Sequence, residues 1–206
     1  MNKTTTLATI VVLLALSLSA CGTVGKLKGT EERIETSGSM PKLIKENQRS
    51  EEVGTVRRFA GFADQVHDLD VSLRSAELEA KKNLVETIGT ELRVEGTRGQ
   101  SGFDREAVGR FFEDSQAWLT NNIRVSGASL REVYWEKWAR YAVDEVAYFY
   151  RGYAVIQITN VDYERTRMAA LDGLINKAMQ EKNRAAEKAA RDTKERLLMD
   201  DGRVDE

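Results

Sequence analysis

Val146-Ala147-Tyr148-Phe149-Tyr150-Arg151-Gly152-Tyr153-Ala154-Val155-Ile156-Gln157-Ile158-Thr159, rich in aromatic and β-branched residues, reads as a long strand. Side chains alternate across a strand, so Tyr148, Tyr150, Gly152, Ala154, Ile156 and Ile158 share one face. Phe149, Arg151, Tyr153, Val155 and Gln157 share the other. Aromatics stand on both faces, so one face is expected to pack on the helices and the other to be covered by a partner subunit or a ligand.

Upstream, Ile123, Val125 and Gly127 begin a second strand that continues irregularly through Leu130 and Val133 to Trp135. Trp138 to Glu145 reads as a long, wet connection, and an antiparallel hairpin is the simplest pairing. Thr55 to Ala63 carries Val56, Phe59 and Phe62 and reads as a further strand. From Asp70 to Gly89 the apolar residues Leu73, Ala76, Ala80, Leu84 and Ile88 recur every three or four positions. That is a helical stripe, with Gly89 as its stop. Glu91 to Thr97 alternates through Leu92 and Val94 and reads as a short half-buried strand. Gly96 to Gly102 is a Gly-rich loop. Asp104 caps a second helix with Val108, Phe111, Phe112, Ser115 and Leu119 inward, and Asn121-Asn122 ends it.

Beyond Asp162 the pattern is helical again. Met168, Leu171, Ile175, Ala178 and Met179 form a stripe, after which Ala, Lys, Arg and Glu dominate. The first half of this helix is expected to dock. The second half projects, pairs with another helix, or frays, because it has little apolar surface of its own. The expected fold class is α+β, in the order β-α-β-α-β-β-α. Two helices lie on a four-stranded, mostly antiparallel sheet, and a long charged C-terminal helix follows.

The 206 residues suffice for one domain with tails. A net charge of −2, falling to −3 without Lys3, gives no reason to expect a nucleic-acid partner. One Cys and one His exclude an intramolecular disulfide and a Cys/His metal cluster. No metal or cofactor is expected.

Residues 1–20 form an export signal: Lys3, then an apolar run from Leu7 to Leu18 that is short for a membrane span. Leu18-Ser19-Ala20-Cys21 resembles the lipobox of bacterial lipoproteins. That resemblance implies cleavage before Cys21, lipidation of its sulfur with fatty acyl chains such as palmitate, and anchoring in a membrane. Gly22 and Thr23, with no Asp after the Cys, resemble the pattern sorted to the outer membrane. A plain secreted protein cut at a small-residue site is the alternative. Residues 21–52 are polar and read as a tether, with a root-mean-square reach of roughly 30 Å. Part of it packing as an N-terminal arm is the other reading. The domain proper is placed at 53–162, with 163–206 as the charged helix and tail.

Candidate chemistry is sparse. Gly96 to Gly102 precedes a helix but lacks the P-loop lysine, and a connecting turn is the better reading. His67, between Asp64 and Asp68, lacks a nucleophile motif beside it and reads as a surface-loop residue. Asp144-Glu145 and Asp200-Asp201 read as solvated carboxylates. The aromatic cluster around the hairpin is the unusual feature. Trp135, Trp138, Phe149 and Tyr153 are the candidate interface residues, with Phe149 and Tyr153 counted only if exposed.

Cys21, Arg57-Arg58-Phe59-Ala60-Gly61-Phe62-Ala63, Ala76 to Leu84, and Tyr150 to Ile158 together resemble the lipoprotein-twenty family of bacterial outer-membrane lipoproteins. That family is related to the N-terminal domain of flagellar assembly proteins of the T type and to the flagellar basal-disk lipoprotein. The resemblance spans roughly residues 53–163. It implies a noncatalytic envelope protein in the periplasm or at the cell surface, acting structurally through contacts with envelope proteins or with copies of itself. A periplasmic module binding a small ligand or peptidoglycan fragment on the aromatic hairpin face is the alternative function.

Overall fold

The computed structural model describes residues 29–98, 100, 102–142 and 145–201, the side chains of 102–104 and 200–201 excepted. The export signal, Cys21, Gly99, Ser101 and Asp144 lie outside the described residues, as do the side chains of Asp104, Asp200 and Asp201.

Five strands form one antiparallel sheet: β1 (Glu31–Thr36), β2 (Ser50–Val53), β3 (Val56–Val66), β4 (Ser129–Tyr141) and β5 (Val146–Thr159). Their order is β1-β4-β5-β3-β2. The α+β class stands, but the sheet has five strands rather than four, and the described helices outnumber the two expected beside the C-terminal one. The expected hairpin is there and is longer than expected, with Val133 opposite Ala154, Trp138 opposite Phe149 and Tyr141 opposite Val146. Trp138 to Tyr141 is therefore strand, not wet connection. The strand also starts later than read: Ile123 to Ala128 is an extended lead-in, and pairing begins at Ser129.

The two extra edges come from the stretch expected to be a tether. β1 pairs with β4, and β2 pairs with β3. Between them lies one helical turn, α1 (Lys42–Lys45), whose Leu43 is buried. Residues 37–49 run from one edge of the sheet to the other. Met40 and Ile44 line a groove with Phe62 and Tyr153. Tyr153 faces away from the helices, so this crossing lies on the face that the helices leave open.

All longer helices sit on the other face. α2 (Leu69–Thr97) is capped by Asp68, whose Oδ1 accepts from the Val71 N–H at 2.9 Å. Ala76, Ala80, Leu84 and Ile88 are buried as expected. Glu91–Thr97, expected to be a strand, is instead the last two turns of this helix. Leu92 and Gly96 continue the inward stripe at spacings of four from Ile88, while Val94 is exposed. Nor does Gly89 stop the helix. A Cβ there would lie 2.1 Å from Gln116 Oε1, so glycine admits a close neighbour instead.

The second predicted helix is split at Ser115 into α3 (Gly102–Asp114) and α4 (Gln116–Asn122). Val108, Phe111, Phe112, Ser115 and Leu119 are all buried, as their spacing predicts. α5 (Asn160–Gln180) starts on a Thr159 cap, and α6 (Arg184–Asp201) follows a turn with Lys182 at φ 55°. The charged half thus does not project. It folds back onto α5, burying Ala186, Ala189, Ala190 and Thr193 in the core. The stripe is small but regularly spaced, and alanine lets the helices approach closely.

Candidate functional site

β4 and β5 present two faces with different chemistry. On the open face Glu136 is only 3% exposed, yet its carboxylate is fully engaged. It accepts from Arg33 Nη1 at 2.8 Å, Trp138 Nε1 at 2.9 Å and the Tyr134 hydroxyl at 3.0 Å. Burial opposes ionisation of Glu136, but the hydrogen bonds from Arg33, Trp138 and Tyr134 outweigh it and hold the carboxyl below its ordinary range.

Beside it, Arg140 and Arg151 share Glu31, at 2.6 and 2.9 Å, and Arg151 Nε also donates to Asp64 at 2.8 Å. The Arg151 guanidinium lies 4.2 Å over the Trp138 ring, and that of Arg140 lies 5.2 Å over Phe149. Three guanidinium groups meet three carboxylates, and each ring is roofed by a cation. The arrangement fastens β1 to the hairpin and leaves no charge unmatched for a ligand.

Phe149 is 3% exposed beneath this roof. It drops out of the interface set, since it was to count only if exposed. Tyr153 is half-buried, held between Phe62 at 4.8 Å and Tyr134 at 5.6 Å between ring centroids. Trp138 is half-buried on the same face. Trp135 points to the helix side instead, edge-on to Tyr150 at 5.9 Å. The four candidates are therefore not one surface.

The helix-side face carries the surface that sequence reasoning missed. α2 lies over β3 and β5 and scarcely reaches β4. Leu130 (49% exposed), Val133 (46%) and Tyr148 (51%) therefore stay uncovered on the face that the helices otherwise cover. Val71 and Leu78, on the flank of α2, are exposed as well. Together with Trp135 they make a mainly apolar strip between α2 and the β1 edge, in which Lys137 Nζ lies 5.4 Å over the Tyr148 ring. No signal in the sequence distinguishes these positions from buried ones, because the width of the helical layer is set by tertiary packing.

The remaining candidates are structural. His67 Nδ1 lies 3.0 Å from the Tyr148 carbonyl oxygen, which only accepts, so this nitrogen carries the proton and ties the turn after β3 to β5. Within the Gly-rich stretch, Gly96 belongs to α2, Gly102 opens α3, and Arg98 pairs with Glu95 at 3.2 Å. Among the described residues no group of His, Cys, Asp or Glu is placed to hold a metal ion, and no described helix is long and apolar enough to cross a membrane. Compared with protein-family models, curated proteins and solved structures, the chain matches none.

Proposed function

We propose that the chain is an outer-membrane lipoprotein, anchored through acylated Cys21, that works without catalysis through protein–protein contacts, including contacts between copies of itself. The observation that carries this reading is the uncovered strip of Leu130, Val133, Trp135 and Tyr148. Several large apolar side chains exposed on one face cost solubility unless a partner covers them. The open aromatic face offers a small ligand little to grip, because Trp138 lies under Arg151 and Phe149 is buried.

Anchoring at Cys21 would also restrict the domain. Eight residues, 21–28, separate the anchor from Gly29, whose N–H donates to the Tyr141 carbonyl at 2.8 Å. Fully extended they span at most about 28 Å. The hairpin tip and the start of β1 would then lie within about 28 Å of the anchor, which leaves the strip open to neighbours on the same membrane.

Two measurements on whole cells test this. Labelled palmitate should enter the protein and be lost in Cys21→Ser. A photo-crosslinking residue at Val133 should give an adduct of discrete mass, while the same group at Lys182 should not. Equal adducts from both positions, or none from Val133, would contradict the contact role.

A further inference from the structure

β2 accompanies β3 from Val53 opposite Val56 to Ser50 opposite Phe59. One more backbone bond follows, from the Ala60 N–H to the Arg49 carbonyl at 2.9 Å. Upstream of Arg49 the chain leaves the sheet. The Gln48 N–H donates to the Leu43 carbonyl at 3.1 Å and the Asn47 N–H to the Ile44 carbonyl at 3.0 Å, in the turn that closes α1. Nothing therefore continues the line of β2 opposite Phe62, and Arg49 stands across one end of it.

Backbone groups alternate in direction along an antiparallel strand, so the N–H and C=O of Phe62 point the same way as the Ala60 N–H, out of the sheet. Nothing among the described residues pairs with them. The Ala60 carbonyl differs, since the Asn83 side-chain amide donates to it at 2.7 Å. At the other end Gln65, at φ 56°, breaks the register before Val66. The open edge is short, running from Phe62 to Gln65.

A groove of about 470 Å³ lies over this edge, within the usual range for ligand sites. Met40, Ile44, Phe62 (45% exposed) and Tyr153 line it on the open face, and Glu79 and Asn83 on the helix side. Arg49 lines it as well. In register with Ala60, Arg49 carries its side chain on the open face, the face of Phe62. It has no ion pair among the described residues, whereas Glu79 is engaged by Lys82 at 3.2 Å.

A chain lying in this edge runs into Arg49, so what it presents there is a terminus. Antiparallel to β3, as β2 is, it arrives with its C-terminus; parallel to β3, with its N-terminus. The unpaired guanidinium selects the first, because it attracts a terminal carboxylate and repels a terminal ammonium. A last residue opposite Phe62 shares both backbone bonds with it, and its side chain falls on the Phe62 face beside Ile44 and Met40. The residue before it turns toward Glu79 and Asn83.

We propose that this groove captures the free C-terminus of a partner protein whose last residue is apolar and whose penultimate residue is polar and uncharged. The terminal carboxylate accepts from the Phe62 N–H and from the Arg49 guanidinium. The N–H of the last residue donates to the Phe62 carbonyl, and its side chain packs on Phe62 and Ile44. The carboxylate belongs to the main chain and stays in the line of the strand, so no acidic side chain is turned toward Glu79. This site stands on a different surface from the apolar strip and does not depend on the anchor at Cys21.

The test uses the full chain in detergent and a hexapeptide of glycine and serine that ends in threonine and leucine, dye-labelled at its N-terminus. Anisotropy should show saturable binding, about ten-fold weaker when the terminal carboxylate is amidated. In Arg49→Gln, an exposed position, the acid and amide peptides should bind nearly alike, which a damaged fold would not produce. Methylation of the leucine nitrogen should abolish binding and methylation of the threonine nitrogen should not, because only the first faces Phe62. Hydrogen exchange of the Phe62 amide should slow about ten-fold on binding. Equal affinity of the acid and amide peptides for the parent, no saturable binding, or an unprotected Phe62 amide would each overturn the proposal. Protection of Phe62 that rises with protein concentration alone would assign the edge to a second copy and overturn it as well. Acetyl-leucine binding as tightly as the hexapeptide would mark a small-molecule site and overturn the partner assignment. Loss of the Val133 adduct with the predicted results intact would remove the assembly role and leave this site standing.

Discussion

Gly61 of β3 lies so close beneath α2 that a Cβ on it would sit 2.1 Å from the Ala76 carbonyl oxygen and 2.3 Å from the Ala80 nitrogen. Helix and sheet meet here backbone to backbone, which is why the stripe of α2 at this level is alanine.

Gly61→Ala is therefore expected to destabilise the fold by about 1–3 kcal/mol, since the atoms in the way are main chain and cannot rotate aside. Urea unfolding reads this directly. Gly54→Ala is a poor control because Gly54 sits at φ 60°. Gly109→Ala, whose added Cβ would have only a side-chain methyl at 3.7 Å, should change stability little or favourably.

Glu136 gives a pH signature. Its carboxyl is held below the usual range despite burial, by donors from Arg33, Trp138 and Tyr134. A depressed native pKa means that its stabilising contribution is complete above the unfolded value of about 4.3 and is lost as pH falls through the lower native value. Glu136→Gln should cost roughly 1–3 kcal/mol at pH 7. The gap between the variant and the parent should close toward pH 3. A gap of the same size at both pH values would contradict the network's role.

α6 provides the third prediction. Ala190 is fully buried, so Ala190→Asp should cost more than about 3 kcal/mol. Lys188→Asp, on the exposed side of the same helix, should fall within about 0.5 kcal/mol of the parent. Thermal melts of the two variants separate a packed helix from a projecting one. Equal melts would show that α6 is not part of the core.

These elements also mark how far the sequence is legible. Where large apolar residues recur at a clear period, as in Val108, Phe111, Phe112 and Leu119 or along Val146 to Thr159, spacing alone places them. β1 has no such signal, because five of its six residues are exposed and its stability comes from backbone pairing with β4. Glu91 to Thr97 misleads because Leu92 and Val94 alternate over too short a span to separate a strand from a helix. For α6 the sequence leaves projecting, pairing with another helix and fraying open, because alanine contributes little hydrophobicity, yet three of them at helical spacing are enough to bury, and the helix pairs. At the hairpin, the aromatic cluster is visible in the sequence, but which rings meet solvent depends on Arg140 and Arg151 folding over Phe149 and Trp138 and on where α2 ends.

The most direct test of the central claim is the solution mass of the chain from Gly22 onward, by light scattering after size exclusion, beside that of Val133→Glu. The account predicts an oligomer of defined mass that falls to a single chain in the variant, whose own fold is unaffected because Val133 is exposed. A single-chain mass for the parent at every concentration, or an oligomer that Val133→Glu leaves intact, would contradict it.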